Sequence, residues 1–269
     1  MLLRCVKFVK SGTALILLCL LTAFAAAAQD DPAAAAVELF NAGQDAHEKG
    51  DLKKAVELYE AALKQIPEFP EAEFQMGTAL AVLGRHADAE SAFRRALELR
   101  EAWTLPMTAL GSLLLQRGSY AEAEALLTKA VESDEQNVGA FTALAELRIR
   151  TNSPEPVLQA LLEKIRALTA KASPTASIWL SRAALELAVN DPASARTSVG
   201  RALEVEPKSF AGALQRGEIA LAMNDAKAAI ADGERLVKSE PNSDPAHYLM
   251  ARALAADGRI DEAIEHLGL

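Results

Sequence analysis

From residue 36 onward, apolar, small and polar positions recur along the chain with a period of 34 residues. The stretch Gly43 to Ala55 returns as Gly77 to Ala89 and again as Gly111 to Ala123. A register of 36–69, 70–103, 104–137, 138–175, 176–209, 210–243 and 244–269 aligns everything that follows residue 35. Its fifteenth column holds Gly50, Gly84, Gly118, Asn152, Asn190, Asn224 and Gly258. These two residue types best tolerate the left-handed backbone that closes a helix. The next column holds Asp51, Ser119, Ser153, Asp191 and Asp225, with Arg85 and Arg259 as exceptions. Short polar side chains there can accept bonds from the free N–H groups that begin a second helix. Alanine then recurs at Ala55, Ala89, Ala123, Ala195, Ala229 and Ala263, and seven residues later at Ala62, Ala96, Ala130 and Ala202, where two helix backbones can come close. Pro67, Pro207 and Pro241 stop the second helix, since proline cannot continue the hydrogen-bond ladder. The pattern predicts a helix, a tight turn and a second helix in every unit.

The combination of columns resembles the tetratricopeptide repeat family. The first unit carries Leu39, Gly43, Ala55, Tyr59, Ala62 and Pro67 in the family's signature slots, and the second carries Met76, Gly77, Ala89, Phe93 and Ala96. The third has Leu110, Gly111, Ala123 and Ala130; the fifth has Trp179, Ala183, Ala195, Ala202 and Pro207; the sixth has Gly217, Ala229 and Pro241. The resemblance implies an all-α fold, a right-handed α-solenoid of about seven helix–turn–helix units covering residues 36–269 after a short lead at 29–35. Three departures stand out. Glu101 and Glu135 replace the terminal proline, which suggests less sharply broken junctions. The fourth unit has 38 residues, and placing three extra residues in the turn from Asn152 to Pro156 puts Ala160 and Ala167 in the alanine slots. Leu269 falls at position 26 of the last unit, cutting its second helix short with no polar helix after it, and because repeat arrays need a polar cap, this points to a covering partner or to self-association.

Composition changes the picture mainly at the N-terminus. Arg4, Lys7 and Lys10 precede an uncharged stretch from Ser11 to Ala28, which ends in Ala26-Ala27-Ala28. A basic region, a short apolar core and a small-residue site read as a secretory signal peptide, residues 1–28, cleaved after Ala28. The alternative is an uncleaved membrane anchor formed by residues 11–28. Bulky Leu18 before Cys19, and the apolar sequence after it, argue against lipidation. Cleavage removes Cys5 and Cys19, the only two cysteines, so the exported chain would enter an oxidising compartment with none to mispair. The net charge of −9 becomes −12 on 25 basic and 37 acidic residues. An acidic balance argues against a nucleic-acid partner, which needs clustered Lys and Arg. The destination read from these features is the bacterial periplasm or the exterior.

Catalytic chemistry is not visible. There is no Gly-rich phosphate loop, Gly-x-Ser-x-Gly elbow, His-Glu-x-x-His pair or EF-hand loop. His47, His86, His247 and His266 show no ligand spacing, and the carboxylates, as at Glu57 and Glu60 or Glu122 and Glu124, read as solvated helix faces. No enzyme activity, metal or cofactor is expected. What remains is binding. The family resemblance implies a concave groove lined by the first helices, with Val37, Phe40, Phe74, Thr78, Leu105, Thr108, Leu115, Ile149, Leu180, Leu187, Leu214, Leu221 and Tyr248 as candidate wall residues. The same columns hold only two basic residues, Arg150 and Arg252, so a Lys/Arg clamp for a peptide carboxylate is not expected. Such a surface suits an extended apolar peptide or an amphipathic helix. The reading is a non-catalytic adaptor or scaffold for assembly of an envelope complex. Three alternatives stay open: a pilus or secretion assembly factor, a self-assembling structural protein, and an accessory domain of a larger enzyme system.

Overall fold

A computed structural model describes residues 31–171 and 173–268, so the segment read as a signal peptide lies outside the described residues. The described residues form fourteen α-helices and no strand. They divide into two compact units, one running up to Arg100 and the other from Glu101 onward. The first unit contains α1 (Pro32–Glu48), α2 (Leu52–Gln65), α3 (Pro70–Val82) and α4 (His86–Leu99). The second contains α5 (Thr104–Gln116), α6 (Tyr120–Ser133), α7 (Val138–Arg150), α8 (Glu155–Thr169), α9 (Ala176–Ala188), α10 (Pro192–Val205), α11 (Phe210–Ala222), α12 (Ala226–Ser239), α13 (Asp244–Ala256) and α14 (Ile260–His266).

Each odd-numbered helix folds back on its successor through the fifteenth-column residue. All seven take positive φ, from 50° at Asn152 to 85° at Gly258. The N–H after each donates back across the turn, as Asp51 does to the Ala46 carbonyl at 2.9 Å and Asp225 to that of Ala220 at 2.8 Å. This closure satisfies carbonyls that the ended helix would otherwise strand. Asp51, Asp191 and Asp225 then cap the second helix by accepting from the N–H groups of Lys54, Ser194 and Ala228. Ser119 and Ser153 do not. Ser119 makes no side-chain cap bond, for which the structure gives no physical reason. At Ser153, the extra Pro154 takes the cap position of α8 and Ser153 pairs instead with Thr151.

Two expectations about the junctions need correction. Without proline, α4 and α6 still stop at Leu99 and Ser133, the same column at which α2, α10 and α12 stop. In the fourth unit the extra residues do not all lie in the turn. Ala160 and Ala167 are exposed, and Leu158, Leu162 and Ile165 form the buried stripe of α8 at the spacing of Ala55, Tyr59 and Ala62 in α2. Only Pro154 is added before the helix, and the remainder lengthens α8 and the connection that follows it. Leucine and isoleucine in slots that alanine fills elsewhere hold α7 and α8 further apart than the other hairpins.

Inside a hairpin, the glycine of the first helix lies under a large residue of the second. A Cβ on Gly43 would stand 2.6 Å from the Tyr59 ring, and one on Gly77 would stand 2.7 Å from that of Phe93. Tyr59 is fully buried, and its hydroxyl has no hydrogen-bond partner among the described residues. Burial, with Glu48 nearby, pushes its phenol up to about 12. The neutral form is the one the fold accepts, so the contribution of this group is intact below pH 10 and is lost as pH rises towards about 12. Tyr59→Phe therefore raises stability by about 1 kcal/mol, because it removes an unsatisfied buried hydroxyl. It also removes this alkaline loss, and thermal melts of parent and variant at pH 8 and pH 11 check both. Phe93 already fills the same column in the next hairpin. A Tyr59→Phe variant less stable than the parent would mean that the hydroxyl is satisfied in solution.

Candidate functional site: a groove on the first helices of the second unit

Within the second unit, α5, α7, α9, α11 and α13 pack side by side in chain order. Between α7, α9 and α11 lies an open groove of about 560 Å³. It is lined by Thr142, Ala145, Glu146, Ile149 and Arg150 from α7, by Ser177, Leu180, Ser181 and Ala184 from α9, and by Ala211 and Gln215 from α11. The surface is almost entirely apolar, with small residues on its floor and Ile149 and Leu180 as its two large walls.

The polar atoms are mostly committed. Gln215 donates its amide to the Leu180 carbonyl at 3.0 Å, tying α11 to α9 across the floor. Ser181 donates to the Ser177 carbonyl one turn back. The Thr142 hydroxyl is buried beneath the groove surface and has no hydrogen-bond partner among the described residues. At the rim, Arg150 donates to Glu146 at 2.6 Å. Further along, Arg252 of α13 pairs with Glu218 of α11 and lies 5.5 Å from the centre of the Tyr248 ring. Both basic residues of the concave columns are thus neutralised by a local acid.

The sequence candidates fall into distinct places. Ile149 and Leu180 come together in the groove. Leu105, at 52% exposure, and Tyr248, at 57%, lie exposed on the surface of the second unit, as Val37 does in the first. Leu187 packs on a cluster of Ala183, Ala195, Val199 and Ile219. Leu214 and Leu221 lean on the cluster formed by Leu236, Ala246 and Leu249. Thr108 is half-buried, donating to the Thr104 carbonyl and accepting from the Asn137 amide. In the first unit, Phe40 stacks near Tyr59 and Phe69, Phe74 lies 6.0 Å from Phe93, and Thr78 donates to the Phe74 carbonyl. Leu115 is 2% exposed and belongs to the core: neighbouring helices cover its column in the third repeat. The small floor residues Ala145, Ser177, Ser181, Ala184 and Ala211, together with Thr142 and Gln215, were missed as wall positions. Their signal was weak, because alanine and serine on a first helix read equally well as packing.

Two carboxylates break the rule that acids lie on solvated faces. Glu186 is fully buried, accepting from Arg182 at 2.9 Å and from Ser198 at 2.6 Å. Asp232, at 3% exposure, accepts two bonds from Arg216, at 2.9 and 2.5 Å, and one from Arg235 at 2.8 Å. Arg182 and Arg216 occupy the column that Leu110 and Leu144 fill with buried leucine. Asp232 also draws the Arg216 guanidinium above its ordinary value by hydrogen bonding to it. Among the described residues, no three His, Cys, Asp or Glu side chains are grouped so as to hold a metal, and no helix is long and apolar enough to cross a membrane.

Tetratricopeptide repeat models match residues 40–106, 108–155 and 220–269. The chain belongs to the tetratricopeptide repeat family. No curated protein matches it in sequence. Solved structures of similar fold include a tetratricopeptide repeat protein from Parabacteroides merdae, 16% identical, with a TM-score of 0.69 over 87% of this chain and 91% of that one. They also include pilF of Pseudomonas aeruginosa, 17% identical, with a TM-score of 0.66 over 82% and 98% of the two chains. PilW, described as a widely conserved type IV pilus biogenesis factor, is 18% identical, with a TM-score of 0.66 over 78% and 96%. The tetratricopeptide fold of this chain is an all-α solenoid of helix pairs, and its family role is that of a protein–protein interaction scaffold.

Proposed function

We propose that the chain is a non-catalytic, exported adaptor that holds an apolar peptide or an amphipathic helix of a partner in the α7–α9–α11 groove. One observation carries the reading: an apolar groove with a small-residue floor, whose rim charges cancel within the protein. Desolvating such a surface against an apolar segment is favourable, and an unpaired charge would make it costly. The basic, apolar and alanine-rich order of residues 1–28 supports export. Assembly of an envelope complex is the role this combination favours, and PilW is an instance of the same fold serving pilus biogenesis.

The test is crosslinking from the groove in native envelopes, with a photoreactive residue in place of Ala184, exposed to the site without carrying a wall. A single captured protein is expected. Ile149→Glu should reduce that capture about tenfold while helicity by circular dichroism stays unchanged, since Ile149 is only partly buried. Capture undiminished in this variant would place the partner elsewhere on the chain.

A further inference from the structure

Away from the groove, a second pocket of about 640 Å³ opens between α10, α11 and α12. Three arginines line it, Arg196, Arg216 and Arg235, against two carboxylates, Asp225 and Asp232. Both carboxylates are already engaged. Asp225 caps α12 through the Ala228 N–H, and Asp232 accepts from Arg216 on both oxygens and from Arg235 on one. Arg196 makes no ion pair or hydrogen bond among the described residues. The pocket therefore carries surplus positive charge in a chain whose net charge is −9.

The preceding repeat provides the contrast. There, Arg182 also replaces the core leucine, but it is consumed: Nε donates to Glu186, one Nη donates to Thr169, and its guanidinium lies over the Trp179 ring at 5.3 Å. Arg166 beside it pairs with both Glu163 and Glu186, so two arginines meet two acids. The same substitution is closed and balanced in one repeat, and open and unbalanced in the next. In the open one, Asp232 holds the Arg216 fork by two bonds while leaving its second Nη without an acceptor among the described residues. A guanidinium oriented in this way is preorganised for a planar or tetrahedral oxyanion.

We propose that this pocket is a binding site for a multiply charged oxyanion, a phosphate or carboxylate group of a small ligand, held by Arg196, Arg235 and the outer edge of Arg216. Asp232 positions the guanidiniums and does not touch the ligand. The site is independent of the groove, because none of its residues lines both.

The test is isothermal titration of the full purified chain with inorganic pyrophosphate in one arm and citrate in the other, at constant ionic strength set by sodium chloride. Saturable one-to-one binding of either anion is expected, and the tighter of the two identifies the phosphate or the carboxylate class. Arg196→Gln, an exposed side chain without a partner, leaves the fold intact and should weaken the binding about tenfold, the loss of one charge-assisted contact. Arg235→Gln should do the same while Arg216 keeps its fork on Asp232. No saturable heat with either anion overturns the proposal, and so does unchanged affinity in the Arg196→Gln and Arg235→Gln variants.

Discussion

Asp232→Ala lowers the stability of the fold by about 1.5–3 kcal/mol, the loss of charge-assisted hydrogen bonds to a buried carboxylate whose arginine partners keep part of their solvation. The Asp232 carboxylate is the common acceptor of Arg216 and Arg235, and it lies almost wholly out of solvent. Arg235 can turn outward on its exposed stem, but Arg216 rises from a core column of α11 and stays. The stability belongs to the pairing and not to the charge itself. Arg216→Leu combined with Asp232→Leu should accordingly recover stability to within about 1.5 kcal/mol of the parent, or exceed it, because replacing both partners of an ion pair that buries its carboxylate with apolar residues is often neutral or better. Leu110 and Leu144 already fill the arginine's column in two other repeats. Urea titrations of the single and double variants measure both effects, and a double variant as unstable as Asp232→Ala alone would contradict this account.

The second large effect lies in the first unit. Phe93→Ala costs about 3–5 kcal/mol, since the ring is 2% exposed and its loss opens a cavity between α3 and α4. Gly77→Ala costs about 1–3 kcal/mol for the opposite reason: the added carbon would lie 2.7 Å from that ring and must displace it. The two positions are coupled. Gly77→Ala with Phe93→Val reproduces the Ala183 and Val199 pair, both fully buried in the fifth repeat. The double variant should therefore cost less than the sum of its single changes, and unfolding midpoints that add without remainder would rule this coupling out.

These residues also mark what the sequence could and could not disclose. The turn column was legible because a positive φ admits few side chains, and glycine or asparagine at Gly50 or Asn190 is hard to explain otherwise. The alanine columns were legible for a similar reason, since close helix approach restricts size. Where that restriction lapsed, the reading failed. In α8 the buried slots hold Leu158 and Ile165, and the nearby alanines Ala160 and Ala167 drew the alignment away from them. Arg216 and Asp232 were illegible because each alone looks like a surface residue. Only the fold brings a side chain of α11 onto one of α12 and so buries the carboxylate of Asp232. The groove was legible as columns but not as a place. Ile149 and Leu180 occupy the same kind of position as Leu115, and what separates wall from core is which neighbour covers it.

The cancelled charges at Glu146 with Arg150 and Glu218 with Arg252 govern encounter as well as affinity. A surface without a local field exerts no pull on a partner beyond contact range. In the proposed groove an uncharged segment would then associate at the rate set by random collision and orientation, about 10⁵–10⁶ per molar per second. Selectivity in such a groove resides in how long a partner stays, and the residence time is set by the fit of its apolar side chains between Ile149 and Leu180.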